Sequence, residues 1–181
     1  MKRAIIVHGW EGYPEEAWFP WLKAELEKVG MEAEVPQMPD TNNPHMDKWL
    51  PYLEKAVGEP DEHLVLIGHS LANITILRYL ETLEEGKKVG KVVMVAGFTD
   101  ALGYKEIESF FQKPIEWDKI RHHCSKFVAI NSDNDPYVPL KHADVFNEKL
   151  GAKTIIENNK GHMSGSANIK ELPSVLEAVT E

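Results

Sequence analysis

The sequence predicts an α/β fold, a three-layer α/β/α sandwich built around a mainly parallel sheet. Two patterns point there. Six short runs, most of them rich in Val and Ile, recur at residues 4–7, 33–35, 64–68, 92–96, 127–131 and 154–157. They are nearly all apolar rather than alternating, as in strands covered on both faces. Amphipathic stretches at 15–29, 46–57, 71–83, 140–150 and 173–179 separate them. Strands alternating with helices imply a parallel sheet with helices on either side. At 181 residues, without repeats, low-complexity tracts or linkers, the chain is expected to form one domain.

Taken in order, the first strand runs into "HGWEG", residues 8–12. In the helix that follows, Trp18, Leu22 and Leu26 form one stripe with Trp21 and Val29 beside it, and Gly30 ends it. The strand at 64–68 runs into "HSLAN", where polar residues abruptly replace apolar ones. Residues 97–124 are the least regular part. Phe110, Phe111, Pro114 and Trp117 there suit either a cap over a pocket or a crossover with its own packing. The last two strands lead into "SDNDPYVP" (132–139) and "NNKGHMSG" (158–165).

Composition excludes several function classes. Twenty Lys and Arg face 29 Asp and Glu, a formal charge of -9. That balance argues against a general nucleic-acid binder and against docking to anionic membranes. The single cysteine, Cys124, rules out an internal disulfide. The opening "MKRAIIVHGW" has too short an apolar run for a signal peptide, and no stretch approaches the ~20 apolar residues a spanning helix needs. A cytoplasmic protein is the expectation.

The junction after the third strand carries the chemistry. Gly68-His69-Ser70-Leu71-Ala72 is G-x-S-x-A, one methyl away from the nucleophile elbow G-x-S-x-G. Small flanking residues allow strand and helix to meet at a sharp turn, and ligands bind at this end of a parallel sheet. Ser70 could instead merely cap the helix. An activated serine needs a histidine base oriented by a carboxylate, in chain order Ser, Asp or Glu, His. Both follow, each just beyond a strand. Asp135 is favoured over Asp133 because Pro136 restrains it, and His162 lies between Gly161 and Gly165. For an oxyanion hole, the backbone N–H groups of Trp10 and Leu71 are the candidates. Three strand ends carrying the needed groups in the needed order weigh more than any one of them.

With these residues in place, the chain resembles the α/β-hydrolases. More narrowly, it resembles the small serine hydrolases related to retinoblastoma-binding protein nine and their bacterial YdeN-type relatives. The likeness spans nearly the whole chain: "VHGW", "WFPWLKAELEK", "MPD", "WLPYLEK", "IGHSLA", "PIEWDKI", "DPYVP" and "GHM". It implies a compact hydrolase with little or no lid domain and a triad on Ser70, Asp135 and His162. It implies a small-molecule acyl substrate, and the triad chemistry requires no cofactor and no metal. Cys124 lies in "HHCSK" rather than in an L-x-C-x-E motif, so no retinoblastoma-protein partner is expected.

The expected reaction is cleavage of a carboxylic ester, or an amide, through an acyl-enzyme. His8, Gly9, His69, Phe110, Phe111 and Tyr137 are candidate pocket residues. Turnover should fall in acid, where an imidazole base takes up a proton. Two rival readings stand beside this one. The first is a binding module on a hydrolase fold. The second is a metal site formed by His122, His123 and Cys124, with or without His142, which the spacing disfavours.

Overall fold

Parallel strands need crossovers, and each crossover here lays a helix on one face of the sheet. The computed structural model describes residues 2–181. Six strands, β1 (Arg3–Val7), β2 (Glu32–Glu34), β3 (Leu64–His69), β4 (Lys91–Val95), β5 (Phe127–Ser132) and β6 (Lys153–Glu157), form one sheet in the order β2-β1-β3-β4-β5-β6. Every pairing is parallel, for example Val7 beside Gly68 and His69 beside Val95. The strand order reverses direction between β1 and β3. At such a switch point neighbouring crossovers diverge, leaving a crevice beyond the strands' carboxyl ends.

The helices are α1 (Phe19–Lys28), α2 (Met46–Val57), α3 (Ala72–Thr82), α4 (Trp117–His123), α5 (Lys141–Leu150) and α6 (Pro173–Thr180). Successive strand residues point to opposite faces, so one strand feeds two cores. Ile6, Ile67, Val93 and Ile130 pack with α1 and α6. Val7, Leu66, Met94 and Ala129 pack with α2, α3, α4 and α5. The three layers expected from the sequence are therefore present.

Most element ends lie within a residue or two of the sequence reading, and two regions differ more. The first helix starts at Phe19, not at residue 15, because Pro20 sits in its first turn, where a missing N–H is harmless. Residues 97–124 are a crossover containing a 3-10 turn (Lys105–Phe110) and α4. Its first half also walls the crevice, so the two alternatives raised for it are both partly realised.

Arg78 holds this crossover to α3. Its guanidinium donates to both carboxylate oxygens of Glu81 at 2.9 Å, and to the carbonyls of Phe110, Lys113 and Pro114. Glu81 Oε1 also accepts the backbone N–H of Glu116 at 2.8 Å. Both side chains are about nine-tenths buried. Removing one partner from such a pair strands the other charge, which costs about 3–5 kcal/mol. Arg78→Met should lower unfolding stability by roughly that amount, and Arg78→Met/Glu81→Met should recover part of it, as measured by urea denaturation.

Candidate active site

The chain turns from β3 into α3 through Ser70, whose φ of 56° is left-handed. A non-glycine residue there carries local strain. The strain is held by a hydrogen bond from the Ser70 N–H to the Val95 carbonyl at 2.9 Å. The loop after β1 presses against the same turn. A Cβ added to Gly9 would lie 3.0 Å from both Ser70 Cβ and the His69 carbonyl oxygen, so only glycine allows this approach. Ala72 is fully buried behind the elbow, as the G-x-S-x-A spacing requires.

Ser70 Oγ lies 2.9 Å from His162 Nε2, and His162 Nδ1 lies 2.8 Å from Asp135 Oδ2. The carboxylate accepts, so Nδ1 carries the proton and Nε2 is left to accept from the serine hydroxyl. Asp135 Oδ1 accepts the N–H groups of Tyr137 and Val138 at 2.9 and 3.1 Å. Its side chain has no exposed surface, and that of His162 is 14% exposed. Three hydrogen bonds hold this buried carboxylate in one orientation. Asp133, the competing candidate, points elsewhere and accepts the Asn159 N–H at 2.8 Å.

The histidine loop is tied down independently. Asn134 Oδ1 accepts the Gly161 N–H at 2.8 Å and the Ser132 hydroxyl at 3.0 Å, while Ser132 Oγ accepts the Lys160 N–H at 3.0 Å. Trp18 Nε1 donates to the Met163 carbonyl at 2.9 Å. His69 Nε2 donates to the His162 carbonyl at 2.9 Å. Burial lowers the His69 pKa to about 3, and the His162 imidazole pushes the same way. His69 is therefore neutral at ordinary pH and holds the His162 backbone through its Nε2–H.

Among the described residues, the backbone N–H groups of Trp10 and Leu71 make no intramolecular hydrogen bond. His8 helps to arrange the first of them. Its Nε2 accepts the Met38 N–H at 3.0 Å, so its Nδ1–H is free to donate to the Gly9 carbonyl, also at 3.0 Å. His8 is fully buried and outside the cavity, which corrects its expected place as a pocket residue. A buried histidine with both nitrogens engaged is an internal brace.

A cavity of about 400 Å³ opens over Ser70. Gly9, His69 and Tyr137 border it, as do Trp10, Phe98, Leu102, Tyr104 and Ile107. Phe110 and Phe111 do not border it, a second correction. Phe110 is buried edge-on against Trp49, and Phe111 packs on Phe98 from outside. In an irregular crossover, sequence gives no period from which to tell which aromatics face inward. Glu11 and Glu16 also border the cavity, whereas among the described residues no Lys or Arg does. Burial raises the Glu16 pKa, against the opposing pull of the Tyr13 backbone, His162 and Lys170. Nothing in the local pattern marked Glu16, Asn134 or Ser132, because each matters only through residues distant in sequence.

The residues of the rival metal reading do not converge on one point. His123 Nδ1 donates to the Lys87 carbonyl at 2.7 Å, and Cys124 is buried with its thiol pushed up to about 11 by burial. His142 accepts from Thr99 elsewhere, and among the described residues no three His, Cys, Asp or Glu side chains gather as a metal-binding group. Among the described residues, no helix is long and apolar enough to cross a membrane.

The parallel sheet, the elbow at its switch point and the loop-borne Asp and His define an α/β-hydrolase fold. The chain belongs to the serine hydrolase family, whose pattern it matches over residues 4–181. It is 29% identical over 180 residues to the YdeN protein of Bacillus subtilis (strain 168), covering 99% of this chain and 95% of YdeN. The crystal structure of that gene product superposes with a TM-score of 0.95 at 28% identity, over 99% and 97% of the two chains. Serine hydrolase RBBP9 of Rattus norvegicus is 29% identical over 169 residues, 91% of this chain and 88% of the relative. Est1E from Butyrivibrio proteoclasticus, solved with ferulic acid bound, shares the fold at 15% identity, with a TM-score of 0.78 over 99% and 86% of the chains.

The neutral buried imidazole of His69 has a consequence for stability. Its folded pKa is below the ordinary value of 6.5, so as pH falls from there toward 3 the unfolded chain binds a proton that the folded chain refuses. Stability is thus full above about pH 6.5 and declines below it, by at most about 1.4 kcal/mol per pH unit from this residue. His8 and His142, also lowered by burial, act in the same sense. The urea midpoint should fall between pH 7 and 4, and His69→Gln should make that decline shallower.

Proposed function

We propose that this protein is a carboxylesterase acting on small, uncharged acyl groups, with Ser70 as nucleophile, His162 as base and Asp135 as its orienting anion. The observation that carries this reading is the continuous contact from Ser70 Oγ through the His162 ring to Asp135, beside two unpaired backbone N–H groups. The strain held at Ser70 also favours catalysis over simple binding, since a binding surface has no need of it.

In the first half-reaction Ser70 Oγ bonds to the substrate's carbonyl carbon as its proton passes to His162 Nε2. Electrons of the C=O bond move onto oxygen, and the N–H groups of Trp10 and Leu71 hold that charge. Collapse of this tetrahedral species breaks the bond to the leaving oxygen (or to nitrogen, in an amide), which takes the proton from His162. Water then attacks the acyl-serine by the same route, releasing the acid and restoring the Ser70 hydroxyl. Asp135 remains ionised throughout and stabilises the imidazolium. The apolar wall of Phe98, Leu102 and Ile107 suits a short hydrocarbon acyl chain.

A fluorophosphonate probe read by intact mass should leave one adduct on wild type, none on Ser70→Ala and a much slower one on His162→Ala. Absence of an adduct on folded wild type would reject the nucleophile assignment. Substrate charge gives a second test. With Glu11 and Glu16 beside the cavity, p-nitrophenyl esters of neutral acids should be cleaved faster than hemisuccinates, and Glu16→Gln should narrow the gap. Equal kcat/KM for the two ester classes would remove the proposed charge preference.

A further inference from the structure

Asn73 is a polar side chain with no exposed surface, in the first turn of α3, where the core would accept an apolar residue. Its Nδ2 donates to the Ser70 carbonyl at 3.0 Å and to the Val95 carbonyl at 2.9 Å. These two acceptors settle which end of the amide faces them, because the reverse orientation would oppose oxygen to oxygen. Among the described residues the other end, Oδ1, is buried without a partner, an arrangement that costs stability. Space has been made for it nonetheless. A Cβ on Gly68 would lie 2.5 Å from Oδ1, and one on Gly97 would lie 3.2 Å from Nδ2.

The Ser70 carbonyl and the Leu71 N–H belong to one planar trans peptide, so they point in opposite directions. That carbonyl receives two donors from one residue, the Asn73 backbone N–H at 3.1 Å and its side-chain amide at 3.0 Å. Gripping the oxygen fixes the plane and thereby aims the Leu71 N–H. Donation to the carbonyl also polarises the peptide, which strengthens its N–H as a donor. The opposite peptide is held in the same way: the Gly9 carbonyl accepts the His8 Nδ1–H and the Gly12 N–H, both at 3.0 Å, and its partner N–H is that of Trp10. Val95, the second acceptor of Asn73, also receives the Ser70 N–H, so one amide ties the strained elbow to the end of β4.

We infer that Asn73 is a positioning residue for the oxyanion hole, acting through the Ser70–Leu71 peptide without touching substrate. The inference rests on the esterase reading above. Its effect belongs to the transition state, because the oxyanion develops only there.

The test compares wild type with Asn73→Asp, which keeps shape but not the donors, and Asn73→Ser, too short to reach both carbonyls. Hydrolysis of p-nitrophenyl acetate and inhibition by an alkylboronic acid, whose serine adduct is tetrahedral, are both measured. Losing one hole donor costs about a hundredfold or more in kcat, so misaiming one should cost about tenfold. KM should stay within about twofold, and the boronate Ki should rise by the same factor as kcat falls. The acid limb of the pH–rate profile should not move, since the contacts of His162 are untouched. Gly97→Ala, which keeps Asn73 but crowds its Nδ2 from one side and the Phe146 ring from the other, should give the same pattern at smaller size and serves if both Asn73 variants fail to fold. Unchanged kcat in the folded variants, or a fall in kcat without weaker boronate binding, would overturn the inference. A wild type that neither turns over nor takes the fluorophosphonate label would reject the esterase reading instead.

Discussion

The left-handed turn at Ser70 is the constraint on which the rest of the site depends. It places the hydroxyl above the sheet edge and the Leu71 amide at the head of α3. Such a backbone persists only where its surroundings over-determine it. Here they include the Val95 carbonyl, which accepts the Ser70 N–H, the Asn73 amide beneath, and Gly9, whose bare Cα lets the β1 loop close on the turn. The parallel register that sets Val7 beside Gly68, and His69 beside Val95, brings these three supports to one point. Topology and strain are therefore linked: the switch point between β1 and β3 opens the crevice, and the same two strand ends carry the parts that fill it.

Much of this was legible in the sequence for a physical reason. Buried parallel strands need continuous apolar runs, and α3 needs small residues where it crosses the elbow, so residues 64–72 carried both signals at once. Asp135 and His162 were readable because each follows a strand in an α/β alternation, which puts them at the same sheet edge as Ser70. What was not legible depends on pairs of distant residues. Asn134 looks like an ordinary loop residue until Gly161 is brought to it. His8 looks like a pocket residue until the Met38 N–H is found on its ring. Phe110 and Phe111 are adjacent in an irregular crossover, and which way each faces depends on distant partners, Arg78 on the Phe110 carbonyl, Trp49 against the Phe110 ring and Phe98 against Phe111.

Burial divides the histidines by task. His8, His69 and His142 are buried and lowered in pKa, and each engages at least one ring nitrogen with a backbone or hydroxyl partner. They act as neutral braces. His162 instead keeps one ring edge toward the cavity and faces an anion on the other. In the proposed mechanism the imidazolium formed at His162 has a carboxylate behind it, whereas the neutral His69 at 5.1 Å adds no opposing charge. Were His69 more exposed, it would titrate in the ordinary histidine range. In acid, a cation would then sit beside the His162 ring. Full burial of His69 keeps that charge away while leaving its N–H to hold the His162 backbone. The hydrophobic layer formed with Trp18 and Phe19, both edge-on to His69, is thus part of the electrostatics of the site.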